Sequence, residues 1–168
     1  MRIYLVGFMA SGKSSLGQLV AARTDVPFLD TDQVIESQAG MSVAEIFDAY
    51  GEDYFRLLEH DVLMQTEFYP KSLNATGGGL PAFADNMDWM LDRGITIYLQ
   101  WPDELLIDNV LGSRHGRPLL GKGISKAEIR DLLERRRPVY ERAAITLELE
   151  GKLESDADKL EQACRYIW

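Results

Sequence analysis

The segment Gly7-Phe8-Met9-Ala10-Ser11-Gly12-Lys13-Ser14 constrains this chain more than any other. It follows a short apolar run, Ile3-Tyr4-Leu5-Val6, and precedes a stretch with Leu16, Leu19 and Val20 at helical spacing. The string therefore fits G-x-x-x-x-G-K-[ST] in the strand, loop and helix setting that this pattern requires. Such a loop turns successive backbone N–H groups and the positive end of a helix toward phosphate oxygens. A lysine in the position of Lys13 neutralises β and γ phosphates, and a hydroxyl in the position of Ser14 ligates Mg(II).

The rest of the chain alternates in the same way. Val26-Pro27-Phe28-Leu29 reads as a second strand that stops at Asp30-Thr31-Asp32. Ser42-x-x-Glu45 is a capping box opening a short helix, and Gly51 to about Thr66 reads as a longer one with Tyr54, Leu57, Leu58 and Asp61 at helical spacing. Lys71 to Ala75 is a third strand running into Thr76-Gly77-Gly78-Gly79, and a helix from Pro81 carries Met87, Met90 and Leu91 into the core. Ile95 to Leu99 is a fourth strand, and Pro102-Asp103 starts a helix that stops near Gly112. Ser125-x-x-Glu128 caps a helix reaching about Arg142, Ile145 to Leu149 is a fifth strand, and Ser155 to Ile167 is a closing helix. This order predicts an α/β fold: a three-layer α/β/α arrangement around a five-stranded parallel sheet, with ligands at the carboxyl ends of the strands. Residues 113–124 hold three glycines and a proline without periodicity, which reads as a mobile surface loop.

With 168 residues, 46% of them apolar, the chain is expected to form one domain spanning 1–168 that needs neither disulfide nor structural metal. The lone Cys164 suits a reducing compartment, no apolar run approaches a membrane span, and patterned structure from Arg2 leaves no room for a signal peptide. A cytoplasmic monomer is the expectation. A net charge of -9 opposes a nucleic-acid or anionic-membrane partner. That charge is uneven: from Arg114 to Arg142 there are nine Lys or Arg against four Asp or Glu, which leaves -14 on the remainder. One stretch is thus suited to anions, although a solvated helix face is the plain alternative.

Among the strand ends only Phe28-Leu29-Asp30 offers a carboxylate, since the third strand ends in Thr76-Gly77 and the fourth in Gln100. An Asn-Lys-x-Asp guanine-reading motif is absent. The pattern looks like a small kinase, in which Asp30 holds metal-bound water and Asp32, on the same side of an extended chain, accepts the proton of an acceptor hydroxyl. A helix cap plus a solvated acid is the alternative for this pair. The glycine triplet points to close backbone approach to a ligand, with turn chemistry as its alternative. Arg56 and the Arg135-Arg136-Arg137 run add guanidinium forks, so the acceptor is expected to be an anion itself.

Taken in order, these residues resemble shikimate kinases along essentially the whole chain. The likeness rests on the Gly7 to Ser15 loop, Asp30-Thr-Asp32, Gly51-Glu52 with Phe55-Arg56 and Glu59, Thr76 to Gly79, Arg117-Pro-Leu-Leu120 and Arg136-x-Pro138-x-Tyr140. The resemblance implies the nucleoside monophosphate kinase-like P-loop fold with a mobile lid at about 113–124 and a shikimate-binding region at about 32–61. It implies transfer of the ATP γ-phosphoryl to the 3-hydroxyl of shikimate, in aromatic amino acid biosynthesis. ATP would be bound by Ala10, Ser11, Gly12, Lys13, Ser14, Ser15 and Arg117, and Mg(II) by Ser14 and Asp30. Shikimate would be bound by Asp32, Arg56, Gly78, Gly79 and Arg136; Lys13, Asp32 and Arg117 would be catalytic.

The chain departs from the family's pattern in three places. Ala10 stands where a glycine is usual, at a free position of the loop pattern, so a small effect is expected. The triple arginine leaves the register open, and Pro138-x-Tyr140 selects Arg136. Glu150-Gly-Lys-Leu-Glu154 lacks the proline often found near adenine, which leaves adenine contacts, Arg114 included, unassigned. A kinase for another small hydroxy acid such as gluconate would share the loop and Asp32, but the paired arginines and the glycine triplet oppose it. A non-catalytic nucleotide-binding module would be expected to lose Lys13, Asp32 or Arg117, and all three are present.

Overall fold

Ile3, Tyr4, Leu5 and Val6 are all completely buried, as a central parallel strand covered on both faces requires. They belong to β1 (Arg2–Val6) in the computed structural model, which describes residues 1–112 and 124–168. The other strands are β2 (Phe28–Asp30), β3 (Ser72–Ala75), β4 (Gly94–Gln100) and β5 (Ile145–Glu148). All pair in parallel, in the order β2-β3-β1-β4-β5. Ile3 and Leu5 face α1 (Lys13–Thr24) and α7 (Leu153–Ile167), packing on Leu16, Val20, Leu160 and Cys164. Tyr4 and Val6 face the other way, toward Met87 and Met90 of α4 (Asn86–Arg93), Ile107 of α5 (Asp103–Gly112) and Leu133 of α6 (Lys126–Tyr140). The three-layer α/β/α expectation holds, and β1, flanked by β3 and β4, delivers the Gly7–Lys13 loop to the carboxyl edge where ligands of such sheets bind.

Two local expectations are corrected. Asp30 and Asp32 do not share an extended segment: the chain turns at once into α2 (Thr31–Ala39), with Asp30 as its N-cap accepting from the N–H groups of Asp32 (3.1 Å) and Gln33 (3.3 Å). Secondly, Pro81 starts only a 3-10 turn, Leu80–Ala82, and α4 begins at Asn86. Ser42 caps through the expected box with Glu45, and the two expected helices are both present: α3 (Val43–Gln65) is a run of two helical segments that meet at non-helical backbone at Gly51. Ile35, Ile46, Phe55 and Val62 form a separate small core between α2 and α3, on the β2 side of the sheet. No helix among the described residues is long and apolar enough to cross a membrane. The expected 113–124 lid, apart from Ile124, lies outside the described residues, as do Arg114 and Arg117.

Candidate active site

The phosphate loop closes on itself around Lys13. Its Nζ donates to the carbonyls of Gly7 (2.9 Å) and Phe8 (2.7 Å) and to Ser11 Oγ (3.2 Å). Gly12, at φ 82, caps α1 and releases the helix's first N–H groups toward the cleft. Ser14 and Ser15 are exposed there, whereas Ser11 is fully buried beneath them. Ala10 has φ 60, in the left-handed region that disfavours a side chain by roughly 1–2 kcal/mol. The departure at Ala10 therefore carries backbone strain rather than a trivial change. Ala10→Gly should raise stability by about 0.5–1 kcal/mol after glycine's own entropy cost is deducted. Chemical denaturation checks this, and an equal or lower midpoint would show that the strain is relieved elsewhere.

Lys13, Asp30, Asp32, Thr76 and Gly77 line one cleft of about 290 Å³ with Ala10, Gly12, Ser14, Ser15 and Gly78. The glycine triplet is explained by what crowds it. A Cβ on Gly77 would meet the Glu59 carboxylate and lie 2.8 Å from Asp32 Oδ1, and one on Gly79 would lie 2.5 Å from the Arg56 guanidinium carbon. A Cβ on Gly78 would approach Met9 N of the phosphate loop at 3.1 Å. The glycines thus let the site's own groups close in, in addition to any ligand. Thr31 Oγ1 accepts from Gly77 N at 2.9 Å and Tyr140 Oη donates to the Gly78 carbonyl at 2.5 Å, which ties α2 and α6 to the same loop.

Arg56 is buried and spans Glu52 (2.8 Å) and Glu59, both on its own helix. Arg136 lies with its guanidinium 5.9 Å from the Phe8 ring centroid. Among the described residues, Asp32 Oδ1, Glu59 Oε1 and Arg136 Nη1 are buried with no hydrogen-bond partner. Such atoms cost free energy unless they serve a ligand. Burial, reinforced by Asp30, pushes the Asp32 carboxyl up to about 6. Burial likewise raises Glu59 to about 7, against the opposing pull of Arg56.

A carboxyl whose folded value is raised contributes stability that is complete below its unfolded value and is lost as pH rises through the folded one. From Asp32 and Glu59 this loss falls between about pH 4 and 7, above the range where the lowered carboxyls of Glu45, Glu128, Glu150 and Glu161 act. The melting temperature of the ligand-free protein should therefore fall across that window. Glu59→Gln should flatten the slope. An identical pH profile in the variant would remove Glu59 as its source.

The shikimate kinase family profile matches residues 9–165, nearly the whole chain. The chain belongs to the shikimate kinase family. The shikimate kinase of Aquifex aeolicus is 39% identical over 145 residues, covering 86% of this chain and 84% of that protein. That of Parabacteroides distasonis is 38% identical over 171 residues, covering 99% and 98%. Among solved structures, the Acinetobacter baumannii shikimate kinase in complex with shikimate superposes with a TM-score of 0.89 at 35% identity, covering 98% of this chain and 93% of that one. A deoxyadenosine kinase from M. mycoides, at 13% identity and TM-score 0.68, shares the fold.

The fold brings Ala10, Gly12, Lys13, Ser14, Ser15, Asp30, Asp32 and Gly78 to one cleft, with Arg56 against Gly79 and Arg136 near Phe8. Two neighbouring groups, Glu59 and Tyr140, enter the sequence pattern only as parts of motifs. Glu59 is one helical turn from Arg56, and its spacing was the available signal. Tyr140, whose phenol burial raises far above its ordinary value, follows Arg136 by four positions on α6. Neither the hydroxyl's reach to Gly78 nor the Glu59 contact across Gly77 is legible from spacing.

Proposed function

We propose that this chain transfers the γ-phosphoryl group of ATP to the 3-hydroxyl of shikimate, giving shikimate 3-phosphate and ADP. Family membership supports the substrate pair, and one observation about the site carries the assignment. The acceptor end of the cleft offers an unpartnered carboxylate oxygen, Asp32 Oδ1, and an unpartnered guanidinium nitrogen, Arg136 Nη1. The first suits a reacting hydroxyl and the second a carboxylate, the two functions a hydroxy acid presents.

In this reading the hydroxyl oxygen forms a bond to the γ-phosphorus as the bond to the β-bridging oxygen breaks, and Asp32 takes the hydroxyl proton. Lys13 follows the charge moving onto the leaving phosphate, and the N–H groups of Ala10 to Ser15 hold the nucleotide's oxygens. Arg136 and Arg56 fix the acceptor carboxylate, and Gly78 and Gly79 bring backbone close to the ring hydroxyls. Arg117, to which the resemblance gives the transferred group, lies outside the described residues. Ser14 and Asp30 are the residues suited to Mg(II): a hydroxyl exposed in the cleft, and a carboxylate whose cap uses only Oδ1. Mg(II) supplies neutralisation of the β and γ oxygens when bound. The net negative charge opposes nucleic-acid or anionic-membrane partners, and the buried free thiol of Cys164 suits a reducing compartment such as the cytoplasm; a monomer is the working assignment.

A coupled assay of ADP release, with shikimate, gluconate or no acceptor, tests the reading. Turnover should depend on shikimate. Equal rates with gluconate, or release independent of any acceptor, would overturn it.

A further inference from the structure

The turn that follows β5 is built around one buried carboxylate. Asp156, near the start of α7 and only 1% exposed, accepts from the N–H groups of Glu150 (3.0 Å), Gly151 (2.9 Å) and Lys152 (3.0 Å). Lys159, farther along α7, donates to the Glu148 carbonyl at 3.1 Å and to Glu150 Oε1 at 2.9 Å. Gly151 has φ 79, and a Cβ there would stand 3.0 Å from the Trp101 ring. Trp101 in turn donates from Nε1 to the Ser11 carbonyl of the phosphate loop at 3.1 Å. One line of contact thus runs from α7 through the 150–152 turn and an indole to the phosphate loop, across the carboxyl ends of β5, β4 and β1.

The strand order says which part of a nucleotide meets that line. Asp30, Asp32 and the 76–79 loop follow β2 and β3, on one side of the phosphate loop. In-line transfer places the γ-phosphoryl on that side, so the nucleoside extends over the ends of β4 and β5. Residues 150–152 are exposed there, yet they are shaped by a carboxylate whose desolvation must be met by three N–H groups.

We propose that Asp156 and Trp101 are positioning residues for the nucleotide. Asp156 fixes the 150–152 turn at the nucleoside end, and Trp101 braces that turn against Ser11, so that the two ends of the nucleotide site keep a fixed separation. This rests on the kinase reading above.

The test measures binding directly, so that it stands apart from turnover. ADP and inorganic tripolyphosphate are titrated calorimetrically into the parent and into Asp156→Asn, Gly151→Ala and Trp101→Phe, and KM is measured for ATP and shikimate. Asp156→Asn exchanges one acceptor oxygen for an amide, and Gly151→Ala forces a side chain into a left-handed turn on an exposed segment that threatens the fold little. Both should weaken ADP and raise the ATP KM by about three- to tenfold, leaving tripolyphosphate and shikimate within about twofold. Trp101→Phe keeps the ring but loses the donor to Ser11, so ADP and tripolyphosphate should weaken together. Unchanged ADP affinity in both turn variants, or shikimate KM rising in parallel with that for ATP, would overturn the proposal. Failure of the parent to turn over shikimate while it still binds ADP would count against the acceptor assignment instead.

Discussion

Asp32→Asn retains ATP binding and loses about a hundred- to ten-thousand-fold in kcat, the usual span for a general base. The substitution preserves size and hydrogen-bonding capacity while deleting the group that takes the hydroxyl proton. Phosphoryl transfer depends more on positioning than on proton removal, so a loss toward the low end fits the role. The pH profile supplies a second readout. With the Asp32 carboxyl raised to about 6 by burial and by Asp30, kcat/KM of the parent should fall on acidification through that region, and Asp32→Asn should lack this limb. A variant kcat within about threefold of the parent would exclude Asp32 from the chemistry, since even weak general-base effects exceed that.

Arg136→Lys should raise the shikimate KM by about 10- to 100-fold while leaving the ATP KM nearly unchanged, as expected when a charged hydrogen bond is lost. Lysine keeps the charge but cannot present a fork, and Nη1 of Arg136 is the buried donor that lacks a partner among the described residues. An acceptor analogue with a carboxamide in place of the carboxylate should bind the parent weakly and lose little more in the variant. Equal losses for acid and amide would show that Arg136 serves the fold or the nucleotide. The matching change at Arg56 is less clean, because it also breaks a buried pair with Glu59 and strands that carboxylate.

The sheet was legible because its strands are apolar runs punctuated by glycine, proline and capping boxes, and the phosphate loop because its geometry demands a fixed string of residues. Helix α2 was missed for a physical reason. Asp30-Thr-Asp-Gln33 carries an acidic cap with glutamine at the third helical position, but the same carboxylates also read as a strand-end pair. At the site, sequence pattern marks Asp32, Arg56, the 77–79 glycine triplet and the Arg135–Arg137 run as candidates, and the family resemblance selects Gly78, Gly79 and Arg136 among them. It could not supply the contacts among them, because the crowding of Asp32, Glu59 and Arg56 against Gly77 and Gly79 joins segments far apart in the chain.

The kink at Gly51 sets the rotational phase of everything that follows it on α3. Ile46 and Phe55 are nine positions apart, which an unbroken helix at about 100° per residue would place on opposite sides. Both nevertheless enter the same small core with Ile35 and Val62. The backbone at Gly51, φ 81 and ψ 176, is a conformation reserved almost wholly to glycine, and it lets the second half of the run restart on a new azimuth. Arg56 and Glu59 inherit that azimuth. The direction from which Arg56 and Glu59 meet the 77–79 glycine loop is thus written into one backbone torsion five residues upstream of Arg56, where no side chain marks it.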